Sequence, residues 1–327
     1  MKVVAKAPAR IGLLGNPSDL NGGKVIAQAI DLYAFVEVQE ANKFEIELKH
    51  PPKTIKKNWK ELVGDNILIR ACLKQLSDVL SAKDLNTIKI SYWSEIPFQT
   101  GLGGSSSICV ACLAALREYF QLKINDFELA ERATRAELIE MGNTAGQQDR
   151  YASVFGGTIF MDFKGKEKQT INDPYGKYLH LENIFENNAY KLWFVPIERG
   201  EASGGKLSRF REAFVNSEDW AIEINNKLKQ IADAGLEAFS NKDIEKIGTL
   251  MTRNQMLVEK ITGKLDNLGR FVYEKALKLG ALGARMCGSS TGAVFIADEQ
   301  TAKKLSREFG VEIIQAKEVK GVRIIRE

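Results

Sequence analysis

Histidine is almost missing from this chain: 327 residues hold only His50 and His180, neither in a His-x-His or Glu-x-x-His context. An imidazole-built metal centre is therefore not expected. Cysteine is scarce too. Among Cys72, Cys109, Cys112 and Cys287 only the middle pair has C-x-x-C spacing, and it falls inside an apolar helical pattern rather than at a helix start beside a strand. The four read as buried, reduced thiols rather than a redox or zinc motif. No apolar run approaches the ~18–20 residues that span a bilayer. Lys2, Lys6 and Arg10 interrupt any secretory core, so no membrane partner and a cytoplasmic location are expected. Charge of one sign is lacking as well. The 46 basic and 42 acidic side chains leave +4, and the densest basic stretches, 53–60 and 316–326, have no interleaved stacking aromatics. No nucleic-acid partner is expected. No period of roughly 20–50 residues repeats, which excludes a solenoid.

What is present is length enough for about two domains of ~100–200 residues each. β-Branched and aromatic runs predict strands over 3–14, 25–40, 43–50, 86–97, 158–164, 190–198, 293–298 and 322–327. Apolar spacing of three and four predicts helices over 66–80, 105–120, 127–141, 206–214, 218–239, 243–260, 267–279 and 300–308. This mixed order lacks a βαβα rhythm, so the fold class is α+β in two domains. The weakly patterned stretch 165–188 is the place for a boundary, giving units of 1–188 and 189–327.

Gly101 to Ser107, GLGGSSS, joins the strand ending at Pro97 to the helix beginning near Ser105. A turn and a cap need one glycine and one serine; the surplus suits an anion site, where glycines turn backbone N–H groups inward at a positive helix end. No lysine follows, so it is not a Walker loop, and G-x-G-x-x-G is absent.

PFQTGLGGSSS (97–107) resembles the second motif of the GHMP kinases, the superfamily of galactokinase, homoserine kinase, mevalonate kinase and phosphomevalonate kinase. APARIGLLGNPSDLNGG (7–23) looks like their first motif and GARMCGSSTGAV (283–294) like their third, in the expected order. Within the superfamily, GLLGNPSD and AGQQDRYASVFGG look most like plant-type glucuronokinase, with the heptose-phosphate kinases next. Two departures stand out. The third motif keeps only its outer glycines, Gly288 and Gly292, and Arg10 stands where mevalonate kinase has lysine. Arginine can orient and neutralise but cannot shuttle protons.

The resemblance implies an N-terminal domain like ribosomal protein S5 domain 2, a ferredoxin-like C-terminal domain, and an active site between them. It implies a phosphotransferase with an alcohol acceptor, using ATP and Mg2+ on a small-molecule sugar, as a monomer or homodimer. The anomeric hydroxyl of a uronic acid such as glucuronate is the expected acceptor. Heptose-phosphate, mevalonate-type and other alcohols, a decarboxylating branch and a silent ATP- and sugar-binding sensor are the alternatives. By the same resemblance Pro97, Gly101, Leu102, Gly103, Gly104, Ser105, Ser106 and Ser107 bind the nucleotide, and Ser105 with Glu137 holds the metal, Ser106 competing. Asp149 assists the attacking hydroxyl with Arg10 beside it, while Asp19, Asn16, Gly288 and Ser289 contact substrate. Local readings compete: Glu137 as a solvated helix residue like Glu128, Glu131 and Glu140, Asp149 as a helix cap, Asp19 in an Asx turn. Lys24, Arg150 and Lys206 lie in or beside these loops as cations for a substrate carboxylate.

Overall fold

The structure, a computed structural model, describes residues 1–50, 52–55, 59–62, 64–166, 176–177, 179–185, 190–197, 204–287 and 292–325. The first elements are β1 (Lys2–Leu14), β2 (Lys24–Glu40), β3 (Glu45–Lys49), β4 (Pro52–Ile55), α1 (Ile67–Lys74), α2 (Ala82–Leu85) and β5 (Ile88–Ser94). There follow α3 (Gly104–Tyr119), α4 (Asp126–Arg135), α5 (Gln148–Phe155), β6 (Thr158–Asp162) and β7 (His180–Phe185). The remainder is β8 (Leu192–Pro196), α6 (Gly204–Val215), α7 (Asp219–Ser240), α8 (Ile244–Thr262), α9 (Asn267–Lys278), β9 (Gly283–Cys287), β10 (Gly292–Ile296), α10 (Glu299–Phe309), β11 (Ile314–Gln315) and β12 (Arg323–Ile325). No helix among the described residues is long and apolar enough to cross a membrane.

β1 and β2 pair antiparallel along nearly their whole length, and β2 is long enough to serve two further neighbours. Its Ala34–Glu40 half pairs with β5 and its Lys24–Gln28 half with β6. The path β12-β1-β2-β5-β3-β4 carries β6 and β7 as a branch, and only β3 and β5 run parallel. Every odd residue of β1 from Val3 to Leu13 is buried. Val3, Ala5 and Ala7 meet the layer of α1, α3, α4 and α5, whereas Ala9, Ile11 and Leu13 join the core shared with α7 and α8. α3 is buried almost all round, which its Ala- and Cys-rich sequence permits, and all four cysteines are free and buried. The second sheet, β11-β8-β10-β9, is wholly antiparallel and packs on α9 and α10 through Phe295, Val272 and Leu305.

Three elements depart from the sequence reading. The stretch expected to be unpatterned holds β7, whose HLENIF lies at the end of the branch and shows little alternation because few of its side chains are buried. β9 was expected as a glycine-rich loop; it is a fully buried strand. A Cβ at Gly283 would lie 2.1 Å from the Gly248 carbonyl on α8, so the helix crosses the strand backbone to backbone and small residues replace the usual bulky pattern. The helix expected over 127–141 is α only to Arg135 and continues as one π-helical turn, Ala136–Glu140.

Glu131 of α4, read as solvated, is 2% exposed and accepts from Lys166 Nζ and from Tyr151 Oη of α5. This buried trio fastens the two helices from which the candidate acids project. Removing one partner of such a pair strands a charge in the interior and typically costs about 3–5 kcal/mol. Lys166→Met is expected to lower the free energy of unfolding by that amount in urea titrations; an unchanged midpoint would show that the trio is not a structural lock.

Candidate active site

A cavity of about 710 Å³ opens where the three sequence motifs meet, with walls from Arg10, Asn16 and Asp19, from 96–105, from Gly146, Gln148 and Asp149, and from Arg285 and Cys287. On its floor the 101–107 loop enters α3 through Gly103, held in the left-handed region at φ 77°, as is Gly101 at 72°. No side chain caps the helix. Its first N–H groups thus remain directed outward at the positive end of the helix dipole.

The three serines explain why. Ser105 Oγ donates to Glu137 Oε1 at 2.5 Å and Ser106 Oγ to Glu137 Oε2 at 2.6 Å. Ser107 Oγ turns inward to the carbonyls of Pro8 (2.9 Å) and Gly103 (3.0 Å). Glu137 sits on the π turn, 2% exposed, and also accepts from Arg150 Nε at 2.6 Å. It is therefore not a solvated helix residue; the widened turn carries it inward, as π turns near functional sites often do.

Asp149 occupies the first turn of α5 and does not cap it. Its carboxylate takes a two-pronged contact from Arg10: Nε to Oδ1 at 2.7 Å and Nη2 to Oδ2 at 2.5 Å. Burial alone would raise the Asp149 pKa, but the Arg10 charge and hydrogen bonds outweigh it and hold the carboxyl below its ordinary range. Arg10 reaches the loop as well, through Nη1 to the Gly101 carbonyl at 2.6 Å and its backbone N–H to the Leu102 carbonyl at 3.0 Å. A Cβ on Gly103 would lie 3.5 Å from Asp149 Oδ2, so the loop backbone runs against the ion pair. Pro97 stands at the cavity edge and its carbonyl accepts from Thr100.

Asp19 is completely buried in a short 3-10 turn, Ser18–Asn21, yet borders the cavity. It accepts from the Gln148 N–H at 3.0 Å, a contact across 129 residues rather than within a local turn. Burial pushes its pKa up to about 6, aided by the Asp149 charge and opposed by the Gln148 and Gln147 N–H groups. Gly146 is obligatory beside it, because a Cβ there would fall 2.1 Å from Asp19 Oδ2. Asn16 Oδ1 accepts from Arg285 Nη1 at 2.6 Å, and its carbonyl accepts from Asn254 Nδ2 at 3.0 Å.

Gly288 and Ser289 lie outside the described residues. None of the three cations suggested for a substrate carboxylate lines the cavity. Lys24 is paired with Asp233 and Asp162, Arg150 with Glu137, and Lys206 is exposed on α6. Sequence reasoning missed Gln148, Asn254 and Arg285. The first adjoins the Asp149 motif and the last stands in the RMC run of the third; Asn254, inside a long helix, carries no local signal.

Comparison with known proteins decides the family. The GHMP kinases N terminal domain matches residues 66–157 and the GHMP kinases C terminal domain residues 236–311. The chain belongs to the GHMP kinases. It is 28% identical over 318 residues to mevalonate kinase of Pyrococcus furiosus, covering 91% of this chain and 89% of the relative. It is 26% identical over 314 residues to glucuronokinase 1 of Arabidopsis thaliana, covering 89% and 84%. The solved structure of Streptococcus pneumoniae phosphomevalonate kinase, in complex with phosphomevalonate and AMPPNP, superposes with a TM-score of 0.78 at 15% identity over 97% of this chain and 99% of that one. The two-domain α+β fold of the GHMP kinases is thus the fold of this chain.

The raised pKa of Asp19 has a definite consequence for stability. Its protonated form is favoured by folding, so the contribution is full below pH 4 and is lost as pH rises through about 6. Asp19→Asn removes that dependence. Measured by urea unfolding, the variant is expected to gain on the wild type by on the order of 3 kcal/mol between pH 4 and pH 7.5. A difference that stays flat over that range would show that Asp19 does not titrate there.

Proposed function

We propose that this GHMP kinase transfers the γ-phosphate of ATP to a sugar hydroxyl, the anomeric 1-hydroxyl of a uronic acid such as glucuronate. The observation that carries the reading is one contact set: the Arg10–Asp149 pair lies against left-handed Gly103 at the uncapped start of α3, on the wall of one cavity. The similarity to glucuronokinase 1 and the joint presence of Glu137 and Asp149 support turnover on a sugar acid over a silent sensor.

GHMP kinases are phosphotransferases that use ATP with Mg2+. In the proposed assignment the N–H groups of Gly101–Ser107 receive the phosphates. Asp149 accepts the hydrogen bond of the attacking hydroxyl and Arg10 compensates the charge that develops there. A carboxylate held below its ordinary pKa is a weak base, so Asp149 serves more to orient the hydroxyl than to remove its proton. Asp19 and Asn16 grip further hydroxyls of the acceptor.

The donor set beside the loop fits a magnesium ion. Glu137 with the Ser105 and Ser106 hydroxyls offers one carboxylate and hard neutral oxygens, and Mg2+ takes few protein ligands while keeping water and phosphate oxygens. When bound, the ion neutralises charge on the β- and γ-phosphates. The division of the chain into 1–188 and 189–327 belongs to the same proposal.

Asp149→Asn is expected to lower turnover by about 10² or more while the KM for ATP stays within a few-fold. Near-normal turnover in a coupled ADP assay would take Asp149 out of the chemistry. Ser105→Ala is expected to raise the magnesium concentration needed for half-maximal rate; a superimposable magnesium titration would transfer the role to Ser106 or to neither serine.

A further inference from the structure

The turn that follows β1 is held from the far half of the chain. β1 stops pairing with β2 at Leu14, so the Gly15 N–H and the Asn16 carbonyl come after the last strand pair. Gly15 turns the chain there in the left-handed region at φ 82°, and a Cβ on it would lie 2.1 Å from the Lys24 carbonyl oxygen. Backbone groups inside such a turn need partners as much as those in a strand do.

One side chain meets both. Asn254 of α8 is completely buried; its Oδ1 accepts from the Gly15 N–H at 2.6 Å and its Nδ2 donates to the Asn16 carbonyl at 3.0 Å. The amide's orientation is set by its partners, an N–H on one side and a carbonyl on the other. A primary amide carries a donor and an acceptor side by side, so Asn254 stands in for the missing strand. The next residue, Gln255, accepts from the Met286 N–H of β9 at 3.0 Å, and Arg285 beside it donates to the Leu13 carbonyl and to Asn16 Oδ1. Two consecutive residues of α8 thus fix the turn, Asn254 directly and Gln255 by way of β9. Both elements lie within the match to the C-terminal domain, 236–311.

The turn carries Asn16 and Asp19 to the cavity wall. Asp19 accepts from the N–H of Gln148, the residue next to Asp149. A second carboxylate beside Asp149 repels a phosphate tail but accepts hydroxyl protons, which puts this turn at the acceptor's end of the cavity.

We infer that Asn254 is the positioning residue of the acceptor subsite: from the C-terminal half it sets the place of Asn16 and Asp19, and with them the affinity for acceptor but not for ATP. The inference deepens the proposed function and rests on the cavity being the acceptor site.

Two variants of the full chain test it. Asn254→Asp has the same shape and keeps the acceptor for Gly15, but turns an oxygen toward the Asn16 carbonyl; Asn254→Leu removes both contacts. Steady-state rates are measured with ATP and Mg2+ on glucuronate, galactose and mevalonate, taking the acceptor that the wild type phosphorylates best. Asn254→Asp is expected to raise the acceptor KM about 10-fold or more, with the ATP KM within about 3-fold and kcat within about 5-fold. Hydrogen exchange read by mass spectrometry, without substrates, reports on the turn itself. Peptides spanning 13–23 are expected to exchange about 10-fold faster in Asn254→Leu and less so in Asn254→Asp, while peptides spanning 97–107 stay within about 2-fold. If the leucine variant does not fold, the aspartate variant gives both readouts. The inference is overturned if the ATP KM rises as much as the acceptor KM, if the acceptor KM is unchanged, if exchange over 13–23 is unaltered, or if it quickens throughout the chain, as loss of a merely structural core residue would cause. A wild type that phosphorylates none of the three acceptors, while exchange over 13–23 responds as expected, would remove the proposed function and leave the tie between α8 and the turn standing.

Discussion

Arg10 is a single guanidinium that touches three parts of the fold at once. From β1 it clasps the Asp149 carboxylate at the start of α5, and it takes the Gly101 carbonyl in the loop before α3. The site's geometry depends on this junction, which ties β1 directly to both the loop and α5, while Glu137 ties the loop serines to Arg150 of α5. It also sets the electrostatics. A carboxylate desolvated to this degree would ordinarily drift toward neutrality; beside Arg10 it stays ionised and ready to accept a hydrogen bond. The small residues around it serve that contact, with Gly103 letting the loop backbone lie against the pair.

The cavity's charges divide into those that balance and those that do not. Arg150 with Glu137 is buried and Arg10 with Asp149 half-buried, and both pairs are short and hydrogen-bonded, the condition under which ion pairs out of water hold. Asp19 and Arg285 have no such counter-ion among the described residues, and each departs from its ordinary pKa in the direction burial dictates. Stability alone gives no reason for a protein to keep an acid and a base without counter-ions on the wall of one pocket. Perturbed groups of this kind mark functional sites, and here both border the same space.

Much of this was legible in the chain. The three motif loops and the identity of the family follow from residue types at fixed spacings, and the resemblance, not any local rule, put Arg10 near Asp149. The serines were only half legible: their number signalled more than a cap, but their partner, Glu137, looked like its solvated neighbours until the π turn brought it inside. Glu131 misled in the same way, since a helix-face acid gives no sign in sequence that Lys166 and Tyr151 wait for it. β7 and β9 were hidden for opposite reasons, one exposed at the margin of its sheet, the other so tightly packed that glycine replaced the apolar signal.

The sequence by itself determined which backbone segments could turn, cap and bind an anion, because those properties belong to glycine, serine and a helix start wherever they occur. Only the tertiary structure decided which charges would be balanced. Whether an acid meets an arginine 139 residues away, as Asp149 meets Arg10, or an arginine such as Arg285 meets only neutral oxygens, depends on distances that chain crossing creates. Coulombic energy and desolvation are functions of those distances, and no local pattern encodes them.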